Sequence, residues 1–187
     1  MAKGKFLFQS PVGVMFRGFI FDSSGFSNEA FYPQVYVQPL YVPIEYTVLT
    51  LGERFTGKWQ VRPPDEKNLA QTLLDRIHSV GLPFLHNLGG PEKLAHPPAR
   101  WENSASVHVQ QAIAYSLAFI GEDDRAVDKI DQICRNLQAA SGKYAWEEKL
   151  LADLLSFRAI LNEDPSQGRQ QLAKWAEETR GHLRLPL

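Results

Sequence analysis

The side chains in this sequence that could do chemistry are few and widely spread. Histidines stand at His78, His86, His96, His108 and His182. None has the HxxxH or His-Glu-x-x-His spacing that turns two imidazoles toward one metal from a helical face. Three fall in or beside 78–96, where convergence for acid/base work is conceivable, although isolated capping or surface imidazoles are the commoner use. Cys134 lies on a helical stripe between Ile130 and Leu137. A nucleophilic thiol needs an electropositive, partly open setting, so this position reads as a small buried hydrophobe. Gly89-Gly90-Pro91 could present free backbone N–H groups to an anion. Neither GxxxxGK[ST] nor GxGxxG is present, and the triplet reads as a turn. The acidic run Glu122, Asp123, Asp124, Asp128 and Asp131 lacks EF-hand spacing and falls at a helix start, where carboxylates are stabilised in any case. Its first reading is structural, and its second is a docking patch for a basic protein, with Asp123 and Asp124 as candidates. The expectation is therefore no catalytic residue, no metal and no cofactor.

The most suggestive surface is a strand face. In FYPQVYVQPLYVP, from Phe31, the side chains of Tyr32, Gln34, Tyr36 and Gln38 alternate with an apolar set and share one face of an extended strand. Tyrosine joins a large contact area to a polar tip, as interfaces require. These four residues are candidate partner-binding positions, against the plainer account of a sheet face covered by helices. Tyr41 and Tyr46 lie close by in sequence.

The elements that must position these groups divide the chain in two. Lys5 to Phe8 and Val12 to Phe21 read as strands, the second apolar on both faces and so covered on both sides. Asp22-Ser23-Ser24-Gly25 and Asn28-Glu29 read as a long hairpin connection. Further strands follow over 31–42, over Tyr46 to Leu51, past a bulge at Gly52, and at Trp59-Gln60-Val61. Pro63-Pro64 ends the sheet and Asp65 caps a helix whose Leu69, Leu73, Ile77 and Val80 should pack on it, with Gly81 as its stop. Residues 81–101 form a proline- and glycine-rich bridge too apolar to float free, with one helical turn starting at Pro91-Glu92. Four helices then follow. Ser104 to Ile120 is apolar nearly all round and should be central, with Leu117 and Ile120 deeply buried. Gly121 ends it, Asp123 or Asp124 caps the next, and Ser141-Gly142-Lys143 breaks the run. Asp164-Pro165-Ser166-Gln167 starts the last helix with Asp as N-cap and Pro at the first helical position. Ser116-Leu-Ala-Phe-Ile120 and Ser156-Phe-Arg-Ala-Ile160 make a helical-hairpin repeat conceivable.

Composition bounds the function. At 44% hydrophobic residues and a net charge of −1, the chain can build a core and offers no bulk attraction for nucleic acid or an anionic membrane. No apolar run reaches the roughly 18–20 residues of a membrane span, no secretory leader is evident, and a lone cysteine suits a reducing compartment. The expected location is cytoplasmic.

The runs GVMFRGFIFDSS, FYPQVYVQPLYVP and LGERFTGKW, within about residues 12–60, resemble the N-terminal portion of small uncharacterised bacterial proteins. In a general way they are similar to sheet-plus-helix members of immunity-type families encoded beside polymorphic toxins. The resemblance implies a cytosolic binding protein and transfers no functional residue.

The sequence is thus read as a single α+β domain. An antiparallel meander occupies 5–62, a helix and bridge 65–101, and four helices 103–183. The expected role is non-catalytic binding of an as yet unknown protein partner, toxin-neutralising or adaptor in kind. The rival is a small-molecule-binding protein or enzyme with a pocket between sheet and helices, floored by tyrosines and reached by His78 or His86.

Overall fold

A computed structural model describes residues 2–3, 5–24, 27–57, 59–60, 66–139 and 144–186. The chain is α+β, an N-terminal antiparallel sheet followed by a mostly helical remainder. It divides into two compact units. One comprises Met1–Gln38, Thr47–Gly90 and Leu185–Leu187; the other comprises Pro39–Tyr46 and Pro91–Arg184.

The first unit holds a five-stranded sheet in sequential order, β1 (Ala2–Lys3), β2 (Phe6–Phe8), β3 (Met15–Ser24), β4 (Ser27–Pro39) and β5 (Gly52–Arg54). In register, Phe6 faces Ile20, Phe8 faces Gly18, and Gln34, Val35 and Tyr36 face Arg54, Glu53 and Gly52. The period-two alternation of β3 sends aromatic rings to both faces, as its sequence requires. On one face Phe16 meets Phe8 at 5.3 Å and Tyr36 at 5.1 Å between ring centroids. On the other, Phe19 meets Phe55 at 6.2 Å, and Phe55 meets Trp59 at 6.5 Å.

Several expectations need correction here. The long connection at 22–29 is absent, because β3 runs on through Ser24 and β4 begins at Ser27; Gly25 lies outside the described residues. The span from Tyr46 to Leu51 is not a strand. Two glutamines of β4 take over its backbone. The Gln34 amide donates to the Leu49 carbonyl at 3.2 Å, and the Gln38 carbonyl accepts from the Val48 N–H at 3.0 Å. Backbone pairing returns at Leu51, whose carbonyl accepts from the Val37 N–H at 2.9 Å, and the strand resumes at Gly52, where a Cβ would collide with the Gln34 side chain and come within 2.9 Å of the Val35 carbonyl. At Trp59-Gln60-Val61 there is a single bridge between Gln60 and Ala30; Val61, with Pro63-Pro64 and the Asp65 cap, lies outside the described residues.

Helix α1 (Glu66–Arg76) does not bury its apolar stripe: Leu69 and Leu73 are half-covered and Leu74 is exposed. Nor does Gly81 end the helix. It has helical dihedrals (φ −67°, ψ −51°) and closes a π-helical turn, Ile77–Gly81, that leads straight into α2 (Leu82–Leu88). The wider turn suits Pro83, which has no N–H to give the preceding turn. The glycine is needed for close approach, since a Cβ there would strike the Phe19 ring and lie 3.2 Å from Phe55. The proline- and glycine-rich bridge is thus largely helical, and its Phe84 and Leu88 are buried.

In the second unit α3 (Pro91–Ala95) and the short α4 (Ala99–Glu102) precede four longer helices. These are α5 (Val107–Phe119), α6 (Asp123–Ala139), α7 (Ala145–Glu163) and α8 (Pro165–His182). Helix α5 packs against α6 and α8, α6 against α7, and α7 against α8, so the four close on themselves. Every residue from Gln111 to Ala118 is buried, which makes α5 the core helix that its composition predicts. Ile120 is the exception to that expectation: it is only half-buried, at the C-cap. Gly121 takes φ +87°, and the Glu122 and Gly121 N–H groups return to the Leu117 and Ala118 carbonyls at 2.9 and 3.2 Å. That pairing closes the helix as a left-handed glycine cap should. The Asp164 carboxylate accepts from the Ser166 N–H at 2.8 Å, with Pro165 first in α8. The predicted break at Ser141-Gly142-Lys143 lies outside the described residues.

Candidate functional site

Of the strand-face candidates, only Tyr32 is exposed, and the Arg54 guanidinium already sits 5.0 Å from its ring centroid. Gln34 is half-buried and spent on Leu49. Tyr36 has 0% exposure and Gln38 is buried as well, so neither can face a partner. The error has a physical source. The sheet is apolar on both faces, and the Tyr36 ring fills the Phe6–Phe16 cluster instead of standing in solvent. Burial also pushes its phenol pKa well up.

The acidic turn is engaged within the fold. Asp123 receives both of its bonds from Arg169, at 3.0 and 2.9 Å, which ties the start of α6 to α8. Asp124 is exposed. Asp131 pairs with Arg158 at 2.8 Å across α6 and α7. Beside them His96 Nε2 lies 2.8 Å from Glu122 Oε1, with Arg125 on the other carboxylate oxygen. The hydrogen bond to His96 is the largest cause holding the Glu122 carboxyl below the usual range, with Arg125 adding to it. This trio is well exposed and lines neither of the two hollows described below. His78 and His86 are likewise exposed and line neither hollow. Cys134 is buried, and desolvation raises its thiol pKa, as a core role requires. Among the described residues no group of three His, Cys, Asp or Glu side chains could hold a metal ion.

The helical unit, by contrast, contains a concave site that no single stretch of sequence announces. A cleft of about 430 Å³ opens between the 43–46 segment and helices α5, α7 and α8. Helix α5 contributes His108 and Gln111, three residues apart and so on one face. Helix α7 contributes Trp146, Lys149, Leu150 and Asp153, the i, i+3, i+4, i+7 set of one helical stripe. Helix α8 contributes Glu178, Thr179 and His182 from its last turns. The floor is buried Gln111, Leu150 and Thr179; the rim is Tyr46, 68% exposed, and Trp146, 47% exposed. The His108 imidazole packs on Trp146 with 5.5 Å between ring centroids. Lys149 stands 3.7 Å from Asp153 one turn on.

The fourth wall is held by its own anchors. Tyr41, fully buried, stacks on Phe119 at 4.8 Å and brings its hydroxyl 2.7 Å from Ser116 Oγ. Ser116 donates its proton to the Ala112 carbonyl at 2.6 Å, so the Tyr41 hydroxyl is the donor to Ser116. The Val42 carbonyl faces Thr179 Oγ1 at 3.5 Å. These contacts fix the start of the segment that carries Tyr46 to the rim. At the head of α7 the Glu147 carboxylate accepts from the Tyr144 N–H at 2.9 Å, setting the turn from which Trp146 projects.

A second hollow, about 540 Å³, lies between the 102–110 corner, α6 and Glu147. No aromatic ring lines it, and the Gln110 amide there is spent on the Glu102 and Ser104 carbonyls at 3.0 and 2.8 Å. The aromatic-rimmed cleft is therefore the better candidate.

None of its residues stands among the predicted partner-binding positions, although His108, His182 and Tyr46 are among the residues singled out in the sequence. The available signal was Gln111, a polar residue in the middle of a helix otherwise built for the core. No family model matches the chain, and no curated protein or solved structure matches it. Among the described residues no helix is long and apolar enough to cross a membrane.

Proposed function

We propose that this is a non-catalytic protein-binding protein, of the toxin-neutralising or adaptor kind, acting in the cytoplasm through the cleft of its helical unit. The observation that carries the reading is the pair of exposed rings, Tyr46 and Trp146, at the mouth of a polar-floored cleft. Large amphipathic rings beside charged groups supply most of the energy at protein interfaces. The test is recovery of the partner from the native host, followed by affinity measurement with purified components. Trp146→Ala and Tyr46→Ala should each weaken the complex by about 1 kcal/mol or more. His78→Ala and His86→Ala should leave it unchanged. Unaltered affinity in both aromatic variants would refute the assignment.

A second reading has its own observation. The cleft volume of about 430 Å³ falls inside the range of small-molecule sites. A small metabolite that raises the melting temperature of the wild type and not of Trp146→Ala would move the assignment to a ligand-binding protein.

A further inference from the structure

We infer that the cleft takes an arginine side chain of the partner protein, the guanidinium lying between the aromatic rim and the carboxylates of α7 and α8. This rests on the binding role proposed above and names the chemistry it would recognise. Around the cleft stand three carboxylates, Glu45, Asp153 and Glu178, against two ammonium groups, Lys149 on the lining and Lys174, which lies 3.7 Å from Glu178 one turn earlier on α8. Lys149 is itself drawn to Asp153 at 3.7 Å along the helix. The site therefore favours a cation over an anion by charge complementarity.

The neighbouring rings narrow the choice of cation. Trp146 carries His108 on part of its ring and leaves nearly half its surface open beside the cleft, with Tyr46 more open still. A planar, weakly hydrated guanidinium gains from stacking on such rings and from a forked approach to a carboxylate, whereas an ammonium gains only as a point charge. The molecule shows the same preference internally, with Arg100 4.6 Å over Trp101 and Arg54 5.0 Å over Tyr32.

The experiment uses the whole chain and three capped amino acids: N-acetyl-arginine methylamide, its lysine counterpart, and the citrulline compound, which keeps the shape and removes the charge. Binding is read at millimolar concentrations from the Trp146 indole N–H resonance, assigned by its disappearance in Trp146→Phe. Arginine should bind at least five-fold more tightly than citrulline and more tightly than lysine. That preference should fall at least three-fold in Asp153→Asn and in Glu178→Gln, the latter an exposed side chain whose change leaves packing intact. Equal binding of citrulline, or lysine binding as tightly as arginine, overturns the guanidinium assignment. No shift with any of the three compounds overturns it too. In each of these failures, partner affinity that still drops in Trp146→Ala or Tyr46→Ala leaves the protein-binding role standing, while partner affinity unmoved by either change removes both.

Discussion

The buried hydroxyl pair Tyr41 and Ser116 gives the sharpest test of how the cleft wall is held. Ser116 Oγ accepts from Tyr41 and donates to the Ala112 carbonyl, in a region with no exposure at either residue. The two single substitutions are therefore unequal. Tyr41→Phe removes the donor but leaves Ser116 its bond to Ala112, so the loss is one net hydrogen bond, about 1 kcal/mol. Ser116→Ala strands the phenolic hydroxyl in an apolar setting, where an unmade bond costs roughly 1–3 kcal/mol. The double change leaves nothing stranded, because both partners are then apolar. It should cost no more than Ser116→Ala alone, and at least about 1 kcal/mol less than the sum of the singles. Urea denaturation followed by far-ultraviolet circular dichroism measures all four proteins, and equal slopes against urea would show that only stability has changed. In melting temperature each kcal/mol corresponds to about 2–4 °C for a chain of this size. Strictly additive losses, or Tyr41→Phe costing more than Ser116→Ala, would show that the proton is not placed as argued and that this pair does not fix the segment leading to Tyr46.

Four further outcomes follow from other parts of the molecule. Gly18→Ala should lose about 1–3 kcal/mol in the same denaturation assay, because its Cβ would press on the backbone of β2 at Leu7 and Phe8; an unchanged midpoint would mean the two strands are not that close. Tyr36→Phe should be neutral or stabilising by up to about 1 kcal/mol, since the buried hydroxyl has no hydrogen-bond partner among the described residues; a clear loss would reveal a partner. Glu122 and Asp164 have depressed carboxyl pKa values, from the His96 and Ser166 hydrogen bonds first, so their stabilisation is full above the unfolded value of about 4 and is lost as the pH falls through the lower folded values. Denaturation at stepped pH should show that loss on the acid side, and Glu122→Gln should flatten it; an unaltered acid limb would separate Glu122 from the effect. Cys134 should react with a thiol reagent far more slowly folded than unfolded, and fast labelling of the native protein would contradict its burial.

What could be read from the sequence was whatever is decided within a few residues. Alternation along Val12 to Phe21 and helical spacing from Ser104 onward mark out the two halves, realised as β3 from Met15 and α5 from Val107, and Gly121, Asp164 and Pro165 mark helix ends through local chemistry that needs no distant partner. Gly81 shows where that logic fails. Glycine after an apolar stripe reads as a stop, yet the structure uses it to admit Phe19 and Phe55, a contact invisible until the sheet and the turn are placed together. Tyr46 to Leu51 fails for a related reason. Its composition suits a strand, but the Gln34 and Gln38 side chains satisfy its backbone and break the ladder.

The same division accounts for the misplaced site. Tyr36 and Tyr46 are the same residue type ten positions apart, and composition cannot tell which of them faces water. Tyr36 falls in a ladder whose two faces are both apolar, so its ring is drawn into the aromatic cluster with Phe6 and Phe16. Tyr46 follows the turn after Pro39, where the chain passes to the helical unit and Tyr41 is pinned to α5. There it emerges at the rim opposite residues contributed by three helices. Most of those residues, taken alone, look like ordinary polar positions of a solvated helix face. Only α5 breaks that disguise: it buries every residue from Gln111 to Ala118, so the amide of Gln111 must answer to something other than apolar packing. Gln111 and Ser116 are the two buried polar side chains of this helix, and while Ser116 is spent on Tyr41 and Ala112, Gln111 lies on the floor of the aromatic-rimmed cleft.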